Sequence, residues 1–505
     1  MATKLRGFEL YKALGSPKHI VAPMVEQSEL AWRILSRRYG AELCYTPMFH
    51  ARLFSEDPKY RATHFTTNAE DRPLVVQFCA NDPQTLLQAA KLVETQCDAV
   101  DLNLGCPQGI AKKGNYGAFL MEDWDLIASM VRTLHENLAI PVTCKIRVFP
   151  EVEKTIAYAK MLQDAGCQLL TVHGRLREQK GQLTGLADWS QIKRVKEVLT
   201  IPVFANGNIL YKEDVARCIA ETGVDGVMSA EGNLYNPAIF SGKFPPTCEV
   251  AQEFLDIYRD HPNSSDGSMI KAHLFKMFHA CLALHPEMRE RLGRSQSFED
   301  LQAFVDEMKR RVQIPADAPE FDPLAAPVDS RGVREVPHWL LQPFVRPDVE
   351  VVREKLRAST EANAREAASR RSEKRKKAEA SGPGSPQVPS GTSSPAAAAA
   401  AAAASATHEP KRRKGKTLCP GCKNIGSDRC AFQMCKACCR ANALENARKL
   451  GIAEEPGQIV CESHKTSAVK KPVARLENGG AACGNGAEQA AASEAGMAPM
   501  DAAAQ

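Results

Sequence analysis

A (β/α)8 barrel is the fold this sequence predicts, on three observations: eight short apolar runs, amphipathic stretches between them, and polar residues closing the runs. The runs are Ile20–Pro23, Leu43–Pro47, Leu74–Phe78, Ala99–Leu104, Val142–Val148, Leu169–His173, Val203–Asn206 and Gly226–Ser229. They are rich in β-branched residues and have strand length. Between most of them lie Ser28–Arg38, Pro83–Gln96, Trp124–Asn137, Val152–Ala165, Trp189–Leu199 and Lys212–Thr222, patterned as helices with one apolar face. Strands alternating with helices imply parallel βαβ units, and eight units in little more than two hundred residues fit a barrel. Gln77, Asn103, Lys145, His173 and Asn206 stand at or near the carboxyl ends of their strands. Barrel active sites are built at that end, so one cleft would collect all five. The alternative is a doubly wound open sheet, but no dinucleotide fingerprint follows the first strand.

At 505 residues the chain exceeds one ordinary domain, and about three are expected. Its net charge is only +5, yet basic residues gather after Pro347 and at Lys411–Lys416. Such local patches suggest a polyanionic partner, against the blander reading of a solvated charged helix. Met1–Lys18 is charged throughout and lacks the apolar centre of a secretory signal. No uninterrupted apolar stretch is long enough to span a bilayer; Ala396–Ala404 is too short. The 17 cysteines are therefore expected in a reducing compartment, the cytoplasm, as thiols or metal ligands.

Asp101-Leu102-Asn103-Leu104-Gly105-Cys106-Pro107-Gln108 spans the end of the fourth run and the loop after it. Cys44, Cys79, Cys97, Cys144, Cys167 and Cys218 read as small buried hydrophobes. Cys106 differs in lying on a strand-end loop, a position that leaves catalytic and structural roles evenly balanced.

Four further segments appear in a fixed order with this one. They are Val21-Ala22-Pro23-Met24, Lys145-Ile146-Arg147, Thr171-Val172-His173-Gly174-Arg175 and Ala205-Asn206-Gly207-Asn208-Ile209. Together the five resemble the flavin-dependent tRNA-dihydrouridine synthases, and Pro23 to Arg33 is similar to the eukaryotic branch acting on D-loop positions 16 and 17. The resemblance runs through about Val312. It implies FMN at the barrel mouth, NAD(P)H as electron donor, and reduction of the uracil C5=C6 bond in tRNA. It further implies that Cys106 protonates C5. A free thiol of pKa about 8.5 is mostly protonated near neutrality, so Cys106 should lack thiolate-stabilising surroundings.

By the same resemblance Pro23, Met24 and Val25 would lie under the isoalloxazine edge, with Gln77 bonded to the ring and Lys145 near its N1/C2 side. His173 would hold the ring or the phosphate. Asn206, Gly207 and Asn208, with Ala230, Glu231 and Gly232, would cradle the phosphate with backbone N–H groups. Many relatives carry Gly-Arg where this chain has Ala230-Glu231, so a phosphate cation is lost and a carboxylate must point elsewhere. Each residue also has a plainer reading: caps, buried hydrogen bonds and turn glycines.

Residues 1–245 are thus expected to form the FMN-binding barrel and 246–345 a helical tRNA-binding domain. The apolar positions of Met269–Leu284 recur at helical spacing, and His273 and Lys276 share a face with Lys271 to one side. These three, with Asn103, Arg147 and Arg175 at the mouth, are the candidates for substrate and RNA contact, and the target uridine should be flipped out to react. Residues 346–416 read as a charged helix or arm and a low-complexity linker, ending in a basic run that would bind RNA or direct nuclear import. In 417–465, Cys419, Cys422, Cys430, Cys435, Cys438, Cys439, Cys461 and His464 are too dense for core packing. They could hold two zinc ions, or one with spare cysteines, in a module resembling the plant SHI-type motif that binds RNA or protein. Residues 466–505 read as a disordered tail.

Two other functions compete: an FMN barrel enzyme on a free pyrimidine, and a non-catalytic RNA-binding protein. A small substrate needs neither the helical nor the basic extension, and a regulator needs no intact Cys106, Lys145 and His173 set.

Overall fold

Short strands buried on both faces demand helices on one side and a closed interior on the other, and the chain meets both demands. Its computed structural model describes residues 4–312, 321–323, 325–329, 332–380, 459–461 and 466–467. The strands are β1 (His19–Val21), β2 (Leu43–Tyr45), β3 (Phe49–His50), β4 (Leu74–Cys79), β5 (Ala99–Leu104), β6 (Val142–Arg147), β7 (Leu170–His173), β8 (Val203–Asn206) and β9 (Gly226–Ser229). All pair in parallel. β1 sets Ile20 opposite Leu43 of β2 and Met228 of β9, and β2 joins β4, which closes the ring.

One expected strand is split. Leu43–Pro47 was one run, but Pro47 has no N–H to give a ladder, and pairing resumes only at β3. Thr46 spans the break: its N–H donates to Val75 O at 3.0 Å, and its Oγ1 accepts from Gln77 N at 3.1 Å.

The expected helices form at 30–38, 83–91, 124–137, 152–164, 189–198 and 212–222. Three start on aspartate caps: Asp82, Asp123 and Asp188 accept from Thr85 N, Leu126 N and Ser190 N. Gly7–Ala13, Ala51–Glu56 and Pro58–His64 are further short helices.

Helices Thr247–Asp260, Gly267–Met277, His279–Leu284, Pro286–Arg294 and Phe298–Arg311 follow the barrel. They share its buried apolar core. Trp32 makes the seam, edge-on to Phe254 at 5.4 Å and stacked on His273 at 3.9 Å. The chain then returns to the barrel: Leu341 N donates to Pro245 O at 3.0 Å and Thr247 N to Trp339 O at 2.8 Å. A 32-residue helix, Val349–Ala380, follows, choosing the helical option for the charged arm.

Residues 1–384 form one compact unit and 385–505 another. In the second, the described residues are two antiparallel strands, β10 (Ile459–Cys461) and β11 (Thr466–Ser467).

Candidate active site

Strand alternation puts Asp101 and Asn103 on one face of β5, and both are buried. From there a relay of side chains runs up to Cys106. Thr143 Oγ1 donates to Asp101 Oδ1 at 2.6 Å, and Gln77 Nε2 to Asp101 Oδ2 at 2.8 Å. Gln77 Oε1 accepts from Asn103 Nδ2 at 2.8 Å, which turns Asn103 Oδ1 toward the loop. There it accepts from Gly105 N at 3.1 Å and Cys106 N at 2.9 Å. Burial pushes the Asp101 carboxyl up to about 6, against its bonds to Thr143 and Gln77 and the charge of Lys145. Gln77 keeps one N–H and one lone pair for another partner.

The loop is fixed from other sides too. Arg147 Nε donates to Gly105 O at 2.9 Å, and its Nη1 to Leu176 O at 2.6 Å and Gln179 O at 3.0 Å. Lys180 Nζ donates to Pro107 O at 3.0 Å. Gly117 has φ +63°, and a Cβ there would stand 2.9 Å from the Cys106 carbonyl oxygen. Only glycine fits so close a left-handed approach. Burial raises the Cys106 thiol above its ordinary 9.0; the Gln108 N–H and the charges of Arg147, Lys145 and Lys180 pull the other way and lose. The group is a protonated thiol at neutral pH.

On the next strands Lys145 Nζ donates to Asn206 Oδ1 at 2.9 Å, and Asn206 Nδ2 donates to Met228 O at 2.8 Å. Burial, then repulsion by Arg147, lowers the lysine to about 7. His173 Nε2 lies 2.9 Å from Arg175 Nη1. Burial and then Lys145, Arg147 and Arg175 hold its pKa well below 6.5, so the ring is neutral and its Nε2 accepts from the guanidinium. Arg175 also donates to Gly185 O at 3.0 Å and to Asn208 Oδ1 at 3.2 Å. Gly207, at φ +116°, admits no Cβ, which would come 2.5 Å from that of Ala187.

The loop after β9 packs on this one: a Cβ on Gly232 would lie 2.2 Å from Ile209 O. Ala230 precedes the short helix Glu231–Tyr235. The Glu231 carboxylate turns to Arg346, accepting from Nε at 2.9 Å and Nη2 at 2.6 Å. After β1, Met24 N donates to Ser28 Oγ at 3.0 Å, Pro23 is half-buried, and Val25 stands exposed. A cavity of roughly 470 Å³ opens beside Val25, lined also by Glu26, Met48, His64, Ser264 and Asp266.

Cys106, Gln77, Asn103 and Arg147 are thus one cluster, and Lys145, Asn206, His173, Arg175, Gly207 and Asn208 another beside it. FMN fits them. The buried lysine stands among Arg147, Arg175 and a neutral His173, a concentration of positive charge that calls for an anion or an electron-rich ring. Asp101, Thr143 and Lys180 were not among the sequence candidates. The i, i+2 spacing of Asp101 and Asn103 on one strand was the available signal for the first.

The helical region corrects one expectation. His273 is fully buried, stacked on Trp32, with Nε2 3.0 Å from Glu29 Oε1. Spacing showed that it shares a face with Lys276 but not that the face turns inward, so it is a packing residue and no RNA contact. Lys276 is half-buried, and Lys271 donates to Ser295 O at 2.8 Å. Cys461 ends β10. Cys419, Cys422, Cys430, Cys435, Cys438, Cys439 and His464 lie outside the described residues.

Comparison with known proteins gives the same picture. Residues 20–316 match the family described as dihydrouridine synthase. The chain is 47% identical over 444 residues to a Rattus norvegicus protein named tRNA-dihydrouridine(16/17) synthase, NAD(P)(+)-like, covering 87% of this chain and 96% of that one. It is 50% identical over 368 residues to the Saccharomyces cerevisiae tRNA-dihydrouridine(16/17) synthase, covering 68% and 87%. A Homo sapiens tRNA-dihydrouridine(20a/20b) synthase is 39% identical over 241 residues, covering 47% and 75%.

Proposed function

The chain belongs to the dihydrouridine synthase family, and from that premise we infer that it reduces uridine in the tRNA D-loop, at positions 16 and 17, using FMN and NAD(P)H. The observation that carries the chemistry is a protonated, loop-held thiol, Cys106, at the mouth of a barrel whose bore holds Lys145.

Bound FMN supplies hydride chemistry, from NAD(P)H to C6 of uracil. The chain's own residues do the rest. Lys145, once charged, would face the N1/C2 side of the ring, and Asn206 fixes its direction. Gln77 offers its free N–H and lone pair to the ring edge. Gly207, Asn208 and Gly232 would supply backbone N–H groups to the phosphate, and Arg175 its charge. Cys106 holds a proton at Sγ for C5, and Asn103, Arg147, Gly117 and Lys180 keep that sulfur in place. The resulting thiolate regains a proton from water. A base inside a folded loop must leave its stack to reach this cleft.

Residues 246–345 then grip tRNA through Lys271 and Lys276, and the charged helix Val349–Ala380 begins beside Gly185. The distant cysteines and His464 hold zinc in a module for RNA or protein, a reading supported by their density. The protein works in the cytoplasm, with nuclear import through Lys411–Lys416 as the second destination.

The test is NADPH oxidation by the full chain with unmodified tRNA, followed by mapping of dihydrouridine. Product at positions 16 and 17 is expected; turnover with a free pyrimidine alone would overturn the reading.

A further inference from the structure

We propose that Arg346 is a ligand of the FMN phosphate, set in place by Glu231, so that a segment beyond the helical region completes the cofactor site. This rests on the FMN reading above and names a residue for it.

A carboxylate just after β9 is the wrong charge for a phosphate cradle, since it would repel a dianion. Glu231 occupies that place, but it meets Arg346 in a two-pronged pair, Nε to Oε2 at 2.9 Å and Nη2 to Oε1 at 2.6 Å. Arg346 Nη1 donates to Gly181 O at 2.9 Å. Three of the five guanidinium N–H groups are engaged, leaving one on each terminal nitrogen for an anion. The carboxylate therefore serves as a rest for an arginine, and the pair as a whole presents no net negative charge.

The neighbours place the pair at the cradle. Arg175 donates to Asn208 Oδ1 at 3.2 Å, and its Nη1 lies 3.4 Å from where a Cβ on Gly207 would be. Burial lowers the Arg175 pKa to about 10, and the group feels both partners besides: Glu231 raises it and Arg346 lowers it. Two arginines thus flank one glutamate beside the two loops whose glycines admit no side chain, a surplus of one positive charge before any anion binds.

Arg346 is not on a loose tail. Leu341 is fully buried and bonded to Pro245 O, and Trp339 O accepts from Thr247 N. Phe344 stacks on Tyr235 at 5.0 Å, on the same short helix that begins with Glu231. Such anchoring exceeds what a surface ion pair needs and holds the Arg346 side chain, 36% exposed, beside the loop after β9.

The test compares FMN with riboflavin, which lacks the phosphate, by flavin fluorescence quenching on titration with the full chain. Wild type should prefer FMN. Arg346→Ala should lose at least about tenfold of that preference, with riboflavin affinity within about twofold of wild type. Arg346→Gln keeps donors for Glu231 and Gly181 while removing the charge, and should lose the preference equally; it decides the matter if the alanine variant does not fold. A preference unchanged in the folded variant overturns the proposal, whether both flavins weaken together or neither does. A wild-type protein without FMN affinity overturns the FMN reading itself, and this proposal with it.

Discussion

Lys145 reaches past β7, from β6 to β8, and donates to Asn206 Oδ1 at 2.9 Å. This ammonium is buried and its pKa is lowered to about 7 by that burial and by Arg147. It is therefore largely neutral at pH 8 and charged at pH 6. An electron-rich ligand beside it favours the charged form and raises the pKa. FMN binding at pH 8 should accordingly take up a proton, and binding at pH 6 much less of one through this lysine. Calorimetry in buffers of differing ionisation enthalpy reads the uptake; Lys145→Met should abolish it. No uptake by wild type at pH 8 would sink the assignment.

Cys106→Ala should lower dihydrouridine formation by about 10²–10⁴-fold, the usual contribution of one general acid, while FMN content is unchanged. The pH dependence follows from the raised thiol. The acid form is required, it prevails below the pKa, and that pKa lies above 9.0. The step that oxidises reduced flavin with tRNA should therefore not lose activity to thiol ionisation until the pH passes 9.0. An alkylation profile showing Cys106 as thiolate at pH 7 contradicts this.

Gly117→Ala should act at a distance from the chemistry. Its Cβ would meet the Cys106 carbonyl oxygen at 2.9 Å and its own φ is +63°, so the Cys106 loop must move. A displacement on the order of 1 Å costs up to about 10²-fold in kcat. KM for NADPH and bound FMN should stay near wild type; a normal kcat in single-turnover reduction of tRNA refutes the positioning role.

His273→Ala should destabilise the protein by about 2–3 kcal/mol, because Glu29 would lose a buried partner. Urea unfolding measures the loss. The affinity of the folded variant for tRNA should match wild type, since the imidazole is buried; a specific loss of tRNA binding at unchanged stability would restore His273 as a contact.

Elemental analysis of the full chain should find zinc, removable by chelator with no loss of FMN. Serine replacement of Cys419 and Cys422 should lower the zinc content. Metal-free protein as purified under reducing conditions counts against the module.

The barrel was legible because its signal is local: eight apolar runs, their intervening helices and three aspartate caps are each set by a few neighbouring residues. The split at Pro47 was legible in principle, since proline cannot fill a ladder position. Most site residues were legible too, since strand ends gather at one face of a barrel. What escaped depended on distance along the chain. Arg346 pairs with Glu231 across 115 positions, and nothing near either residue announces the other. His273 escaped differently: periodicity gives relative orientation on a helix, while its inward turn is set by Trp32, far upstream.

That contact between Trp32 and His273 bears on how a large substrate is accommodated. The rings lie 9° from parallel, and around them Glu29, Phe254 and Asn233 weld the first helix of the barrel to the later ones. A hinge at this point would have to expose the indole and strand the glutamate, so a large substrate meets the barrel and the later helices as one rigid piece.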